Sequence, residues 1–326
     1  MNRDLFPYGS DASDAVGVTD DSTDGADSAD TDVCIENLCE ACSGFAEQAD
    51  RRLAHIGELA DAAVRSLQEL SVSALSESYR ALTERSGIKD IGDRVALVRG
   101  LHRALGDGGM KRLCPDGLLG ARILPTARIR VCYLQNSYSD IAVESFAPFL
   151  CTEQDGVQRV YCDSPEQACG EVEQGSAQYC VLPIENLSEG RLSGVERLIR
   201  RYDLHIGMTV SLMPRGMVFV LLRRSICRIG SPGDGELSYE LLSDGEGIET
   251  AEIIYAARLL GLPLLRADSR HVDYDSRRLL HCLRFGIAEG DEESAETLGL
   301  LLLLEKRDYV PVGIYRAAER DISGLM

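Results

Sequence analysis

Beyond residue 128, short apolar strands alternate with amphipathic helices, and the order of the alternation changes part-way along the chain. In the first part the pattern predicts strands at 129–134, 159–162, 179–184, 205–212 and 217–222, and helices at 139–150, 164–174 and 190–201. A βαβαβα succession of this kind favours right-handed crossovers and a mainly parallel sheet. We therefore predict an α/β lobe over 129–224.

The second part follows the loop 230–235 and has a different order of elements. The pattern predicts strand 237–242, helix 248–260, strands 262–268 and 279–287, helix 291–304 and strand 309–315. This βαββαβ order is that of the ferredoxin-like fold, in which two helices cover one face of a four-stranded antiparallel sheet. We predict such an α+β domain over 236–317, and a homodimer that covers its other face and its edge strands.

The N-terminal third has neither alternation. Residues 1–32 hold nine Asp and one Arg and few apolar side chains, which predicts a disordered acidic tail. Apolar residues then recur every three or four positions in three stripes. These stripes predict a three-helix unit over 33–110, closed by the glycines at 106–109.

Composition excludes several kinds of partner. The 326 residues include 34 Lys and Arg against 53 Asp and Glu, a net charge of -19 that opposes binding to nucleic acid and to an anionic membrane surface. The apolar run 298–304 is far shorter than the ~20 residues of a membrane helix, and the acidic N-terminus does not resemble a signal peptide. We expect a cytoplasmic protein with reduced, mostly buried cysteines and no cofactor.

One cysteine group has a spacing that metal sites use. Cys34, Cys39 and Cys42 match three ligands of a plant-type iron–sulfur cluster, but no fourth ligand lies nearby in the sequence. Because Cys42 also falls on the apolar helix stripe, we interpret the group as part of that stripe and expect no metal site.

The stretch 175–190 ends in Pro-Ile-Glu-Asn-Leu-Ser-Glu-Gly and closely resembles the Pro-Ile-Glu-Asn-Ser-Thr-Glu-Gly signature of prephenate dehydratases. The resemblance implies that Glu185, Asn186 and Ser188 are catalytic. A strand end followed by a helix start, whose free N–H groups attract anions, would suit a dicarboxylate substrate. The simpler interpretation is an ordinary capped turn between strand and helix.

Two further stretches resemble parts of the same enzymes. The strand 131–134 followed by Ser137, Tyr138 and Ser139 is similar to the family's opening strand and substrate-binding loop, although the Gly-Pro-x-Gly of that loop is missing. Downstream, 266–271 resembles the Glu-Ser-Arg-Pro motif of the ACT regulatory domain, which implies that Asp268, Ser269 and Arg270 bind an effector such as L-phenylalanine between paired domains. The segment 312–315 resembles the end of that domain.

The sequence also departs from the family. The dehydratase domain of the family resembles a two-lobed periplasmic binding protein, whereas residues 129–224 of this chain have room for one lobe only. Where a Thr-Arg-Phe motif is expected, this chain has Met217, Val218 and Phe219. Methionine cannot donate a proton to the leaving hydroxide of prephenate and valine cannot pair with its carboxylate, and the loss of one preorganised donor costs on the order of 100-fold in rate.

Three functions therefore stay open. The first is a catalytically degenerate member that binds an amino acid and acts as a regulatory homo-oligomer in L-phenylalanine biosynthesis. The second is an active carbon–oxygen lyase, converting prephenate to phenylpyruvate, whose cleft is completed by a partner chain. The third is a structural interaction protein that docks another chain through its tail and helices.

The three predicted helices stand where bifunctional relatives carry a chorismate mutase. No mutase pattern can be placed on their arginines, so a packing or dimerisation element is favoured.

Overall fold

The computed structural model describes residues 27–67, 69–115, 118–153, 155–229, 237–243, 247–271, 279–288, 290–305 and 309–324; side chains at 27–42, 247–249, 270–271 and 279 lie outside the description. The chain divides into one unit over Met1–Arg52 and a second over Leu53–Met326. In the described part of the first unit, residues 43–50 are exposed along a helix, on which Arg51 pairs with Glu47 at 3.1 Å.

The helices and strands of the described residues are as follows, in chain order. They are α1 (Asp27–Ser66), α2 (Val72–Arg85), α3 (Ile91–Leu113), β1 (Ala121–Ile123), β2 (Ile129–Leu134), α4 (Ser137–Leu150), β3 (Val157–Cys162), α5 (Pro165–Glu173), β4 (Tyr179–Asn186), β5 (Gly190–Arg191), α6 (Ser193–Arg201), β6 (His205–Met213), β7 (Met217–Arg223), β8 (Cys227–Ile229), β9 (Leu237–Ser243), α7 (Gly247–Leu259), β10 (Leu264–His271), β11 (Leu279–Ile287), α8 (Glu292–Leu304) and β12 (Tyr309–Asp321).

The N-terminal helices differ from the prediction at both ends. Helix α1 begins at Asp27, so the last six residues of the predicted tail are helical, while 1–26 lie outside the described residues. Acidic residues in a first helical turn are favourable there because of the helix dipole. Gly106 interrupts α3 with a φ of +56°, but the helix resumes to Leu113 and does not close at 106–109.

The expected mainly parallel sheet agrees with four of the five predicted strands of this part, because β2, β3, β4 and β6 run in one direction and β7 is antiparallel to them. Strands β3, β2 and β4 are neighbours and run parallel, joined through α4 and α5. After β4 the pairing turns antiparallel, from β4 to β7 and from β7 to β6. Only a three-residue turn at 214–216 connects β6 to β7, and a parallel pair needs a far longer crossover.

The βαββαβ order over 237–321 agrees with the sequence prediction. Strands β10, β11, β9 and β12 form an antiparallel group in that spatial order, with α7 after β9 and α8 after β11. The helices α2 and α3 pack against α7 and α8, and all four share one apolar core with this part of the sheet. A packing role for the helical segment thus agrees with its contacts.

Strand β12 is longer than the predicted 309–315 and changes the expected assembly. Its second half runs parallel to β6, from Gly313 opposite Ile206 to Asp321 opposite Met213. The four antiparallel strands and the α/β strands are therefore parts of one ten-stranded sheet. A second copy is not needed to cover the β12 edge, because this chain covers it with its own strand.

Candidate functional site

The signature 183–190 forms a β-hairpin, not the strand-to-helix junction that we expected. Strand β4 runs to Asn186, a turn follows at 187–189, and β5 returns along β4 with Arg191 opposite Glu185. The Oδ1 of Asn186 accepts hydrogen bonds from the backbone N–H groups of Ser188 at 3.0 Å and Glu189 at 2.7 Å, and from the Ser188 hydroxyl at 3.0 Å. Asn and Asp commonly stabilise turns in this way. The amide of Asn186 therefore holds the hairpin, and α6 starts only at Ser193.

Glu185 is joined to a predicted effector residue through one arginine. Arg266 on β10 donates from Nη1 to Glu185 Oε2 at 2.8 Å and from Nε to Asp268 Oδ2 at 2.5 Å. The side chains of these residues are about one third exposed, at 32, 27 and 28% for Arg266, Glu185 and Asp268. The structure thus brings Glu185 and Asp268 together, and the Glu185 carboxylate is held in an ion pair.

A fully buried carboxylate lies close to this pair. Glu240 on β9 accepts hydrogen bonds from Arg191 and from the Tyr315 hydroxyl, and from Arg284 Nε at 3.1 Å. Burial alone would raise the pKa of the Glu240 carboxyl, but Arg191, Arg284 and Tyr315 outweigh burial and lower that pKa to about 2. Glu196 pairs with the other side of the Arg191 guanidinium, at 2.5 Å. Arg191 is therefore held as a buried cation between two carboxylates.

Between these groups lies a small cavity of about 80 Å³. It is lined by polar groups from both parts of the sheet and by aliphatic side chains: Ile184, Glu185, Arg191, Ile206, Thr209, Ser211, Val218, Val220, Arg284, Tyr315 and Ala317. Pockets that hold substrates or cofactors usually have about 300–1,000 Å³. This cavity has room for a few water molecules and not for a ten-carbon dicarboxylate such as prephenate.

Ser137, Tyr138 and Ser139 lie in the first turn of α4, at the carboxyl end of β2. Asn136 caps this helix, accepting from the Ser139 backbone N–H at 2.9 Å and donating to the Ser139 hydroxyl at 2.8 Å. Ser139 is buried, Tyr138 packs partly into the core of the α/β part, and Ser137 is exposed. Of the three, Ser137 alone presents an exposed side chain.

Asp268 and Ser269 face opposite sides of β10, as neighbours in a strand must. Asp268 turns toward Arg266, whereas the Ser269 hydroxyl lies 2.7 Å from His281 Nδ1 on β11. The side chain of Arg270 lies outside the described residues. Of the predicted effector residues, Asp268 and Ser269 therefore present their side chains to opposite faces of the sheet.

A larger open groove of about 820 Å³ adjoins the hairpin. It is lined by residues from the starts of α5 and α6 and from the hairpin: Pro165, Glu166, Glu189, Arg191, Leu192, Ser193, Gly194, Val195, Arg197, Leu198 and Arg201. The start of α5 agrees with the sequence, since the Ser164 hydroxyl accepts from the Gln167 N–H at 3.1 Å and Pro165 takes the first helical position. Both helices follow the carboxyl ends of strands, where ligands of α/β sheets commonly bind.

Sequence reasoning missed the partners in the buried cluster. Glu240 stands alone in the otherwise apolar or uncharged strand Leu-Ser-Tyr-Glu-Leu-Leu-Ser, and an isolated carboxylate in such a strand indicates a buried cation opposite it. Arg191 follows directly on the signature. Nothing in the sequence pairs these two residues, because β5 and β9 are not neighbours in the sheet and the contact between Arg191 and Glu240 depends on the tertiary structure.

With this geometry in place, the segment can be compared with known proteins. Residues 134–220 match the family model described as prephenate dehydratase. This segment is prephenate dehydratase-like. It contains β4, the hairpin and the aligned Met217, Val218 and Phe219, and it ends before the ferredoxin-like part. No curated protein matches the sequence.

Solved structures show weaker likenesses. The prephenate dehydratase from Streptococcus mutans is 17% identical, with a TM-score of 0.45, and the match covers 59% of this chain and 100% of that one. The prephenate dehydratase from Arthrobacter aurescens, in complex with L-Phe, is 13% identical, with a TM-score of 0.43, and the match covers 58% and 90%. A structure described as GqqA, a novel type of quorum quenching acylase, is 16% identical, with a TM-score of 0.42 and coverage of 57% and 94%.

Two expectations from composition can be set against the described residues. Among them, no helix is both long and apolar enough to cross a membrane. No group of three or more His, Cys, Asp or Glu in the described part of the chain is arranged to hold a metal ion. The side chains of Cys34, Cys39 and Cys42 lie outside that description.

Proposed function

We propose that this chain is a prephenate dehydratase-like protein that binds an amino acid and has no dehydratase activity. The observation that carries the proposal is the cavity of about 80 Å³ beside Glu185, whose carboxylate is paired with Arg266. A dehydratase needs a free proton donor and a dry cleft around its substrate. Here Glu185 lies in an ion pair, Asn186 holds a turn, and the cavity is too small for prephenate.

The groove of about 820 Å³ offers the chemistry that an amino acid requires. Arg197 and Arg201 can receive a carboxylate, and Glu166 and Glu189 can receive an ammonium group. Leu192 and its apolar neighbours in α6 can contact an uncharged side chain. Its size lies within the usual range for ligand pockets, about 300–1,000 Å³.

The ACT-like resemblance supports a second place for the amino acid. There Asp268, Ser269 and Arg270 on β10 would bind L-phenylalanine between two copies of the chain, which form a homodimer through the edge of β10 that no other described strand pairs with. An ammonium group would then compete with Arg266 for Asp268. Ser137, Tyr138 and Ser139 would contact a ligand only through the exposed Ser137 side chain.

Two measurements test this proposal. Phenylpyruvate formation is followed with purified full-length protein and prephenate, and L-phenylalanine binding is measured by calorimetry. We expect turnover at the spontaneous rate and saturable binding. Turnover above that rate that Asn186→Ala abolishes without unfolding the protein would overturn the proposal in favour of an active dehydratase completed by a partner chain.

Variants locate the binding site. Arg197→Met should weaken L-phenylalanine binding if the groove holds the amino acid, whereas Asp268→Asn should weaken it if β10 does. Arg320→Met is the matched control, because Arg320 is an exposed arginine on β12 outside both places. Binding unaffected by either test variant would contradict both locations. Light scattering of the same samples tests the homodimer.

A further inference from the structure

A second groove, of about 470 Å³, lies at the opposite end of the parallel strands. It is formed where β2 and β4 begin and β7 ends, with lining residues that include Ile129, Tyr179 and Arg223. Tyr179 and Asn186 stand at the two ends of β4, roughly 23 Å apart at about 3.3 Å per residue. The groove is therefore separate from the hairpin, from the small cavity and from the larger groove.

The charge of this groove differs from that of the chain as a whole. Its charged lining residues are Arg128, Arg223 and Arg224, and no Asp or Glu of the described residues lines it. In a chain with a net charge of -19, three arginines without a carboxylate among them form an unusual local excess of positive charge. Within the described part of the chain, none of the three forms an ion pair.

Arg223 is held in place as a binding residue would be. Its guanidinium carbon lies 5.7 Å from the centre of the Tyr179 ring, a cation–π distance. Its Nε is buried and has no hydrogen-bond partner among the described residues. The charge of Arg223 also acts on the neighbouring Tyr179 and Cys227 side chains, where it counteracts the rise in pKa that burial causes. A cation fixed at the groove in this way attracts an oxyanion.

Apart from Thr126, Gln178 and Tyr179, the rest of the lining is apolar. Ile123, Leu124 and Leu150 contribute aliphatic surface, and Leu124 is 61% exposed although it is a large apolar residue. A groove of this size that combines guanidinium groups with apolar walls matches a small molecule with an oxyanion at one end and an apolar body. We propose that this groove binds such a ligand, an aromatic or aliphatic carboxylate or its phosphate counterpart, at a site independent of the proposed amino-acid site.

Because the described lining of this groove holds no acidic side chain, the groove should select ligands by their charge. An amino acid would place its ammonium group among three guanidiniums without a carboxylate in the lining to receive it. The groove should therefore prefer 3-phenylpropionate to L-phenylalanine, two molecules of one carbon skeleton that differ by the ammonium group. The larger groove, which carries both charge signs, has the opposite preference.

Calorimetric titration with the full-length protein tests this at low salt, because salt screens exposed charges beyond about 10 Å at 0.1 M. The probes are 3-phenylpropionate, L-phenylalanine, inorganic phosphate and 3-phenylpropylamine. We expect 3-phenylpropionate to bind, and Arg223→Met or Arg224→Met to weaken that binding about tenfold or more, as the loss of a charge-assisted hydrogen bond does. Inorganic phosphate that binds as tightly as 3-phenylpropionate would show that the apolar walls take no part and would overturn the proposal.

Controls separate this proposal from the first. Arg320→Met should leave the affinity for 3-phenylpropionate unchanged, and Arg223→Met should leave L-phenylalanine binding unchanged. If Arg223→Met does not fold because Arg223 packs on Tyr179, Arg128→Met and Arg224→Met take its place, since both residues are exposed. Three results would each refute the anion site, whatever the outcome for L-phenylalanine. They are no binding of 3-phenylpropionate, the same affinity for 3-phenylpropionate in the wild type and all variants, and binding of 3-phenylpropylamine as tight as that of 3-phenylpropionate.

Discussion

Replacing Glu240 by glutamine tests how much the buried ion cluster contributes to stability. The Glu240 side chain is fully buried, and that of its partner Arg191 is 2% exposed. Glu240→Gln keeps the size of the side chain and removes its charge, so the buried Arg191 loses the Glu240 carboxylate and keeps its ion pair with Glu196. Breaking a buried pair from one side usually costs about 3–5 kcal/mol, because a buried charge loses its compensation.

The pKa of Glu240 gives a second route to this magnitude. It falls from 4.5 to about 2 on folding. A shift of about 2.5 units at 1.36 kcal/mol each is worth about 3 kcal/mol. The two routes agree on a loss of about 3 kcal/mol for Glu240→Gln at pH 6, where the carboxylate is ionised in both the folded and the unfolded state.

The sign of the pH dependence follows from the direction of the shift. Because folding lowers the pKa of Glu240, its contribution is complete above pH 4.5 and is lost as the pH falls through about 2. At pH 3 the wild-type protein should have lost about 2 kcal/mol of this contribution, so the difference between wild type and Glu240→Gln should shrink to about 1 kcal/mol.

Urea unfolding followed by circular dichroism at pH 6 and pH 3 measures both quantities. Glu144→Gln serves as the control, because Glu144 pairs with Arg159 at 3.4 Å with side chains 54% and 37% exposed. Such a surface pair contributes less than about 1 kcal/mol. A loss below about 1 kcal/mol for Glu240→Gln at pH 6, or a difference that does not shrink at pH 3, would refute the reasoning.

Three other substitutions have definite expected outcomes. Gly313→Ala should lower stability by about 1–3 kcal/mol in a thermal melt, since its Cβ would lie 2.2 Å from the Ile206 carbonyl oxygen where β12 meets β6; an unchanged melting temperature would contradict this close approach. Leu101→Ala, at a side chain with no exposed surface, should cost about 2–5 kcal/mol in urea unfolding, and a smaller loss would show that the helical core readjusts. Arg266→Met should cost less than about 1 kcal/mol and leave prephenate turnover at the spontaneous rate; faster turnover would mean that its pairing with Glu185 suppresses catalysis.

The sequence predicted those elements whose local pattern is complete in itself. Strand β2 falls at 129–134 as expected, because its apolar run is bounded by the Pro- and Gly-containing segment before it and the polar loop after it. The second half of β12 was missed because 316–321 is mostly polar and lacks the alternation of a strand with one buried face. Its conformation depends on pairing with β6, which no short stretch of sequence specifies.

The candidate site was predicted less well, for a related reason. The residues of the signature were correctly placed at the end of a strand, yet Asn-Leu-Ser-Glu-Gly is compatible with either a helix start or a hairpin. The choice between the two becomes clear only with β5, which places Arg191 opposite Glu185. The cluster around Glu240 joins residues far apart in sequence, and local patterns carry no information about such contacts.

The continuous sheet and the proposed loss of catalysis have a common physical basis. When β12 pairs with β6, it places the ferredoxin-like strands against the side of the α/β part that carries Glu185 and Arg191. Charged side chains enclosed there must be paired, because leaving a buried charge uncompensated is more costly than any single hydrogen bond is worth. Glu240 supplies that partner to the buried Arg191. Arg266 holds the partly exposed Glu185 carboxylate in an ion pair, which withdraws that carboxylate from chemistry on a substrate. A ligand for this protein is therefore better sought at the two open grooves than at the small cavity beside Glu185. For this reason the variants of Arg197 and Arg223 are more informative than any substitution at Glu185.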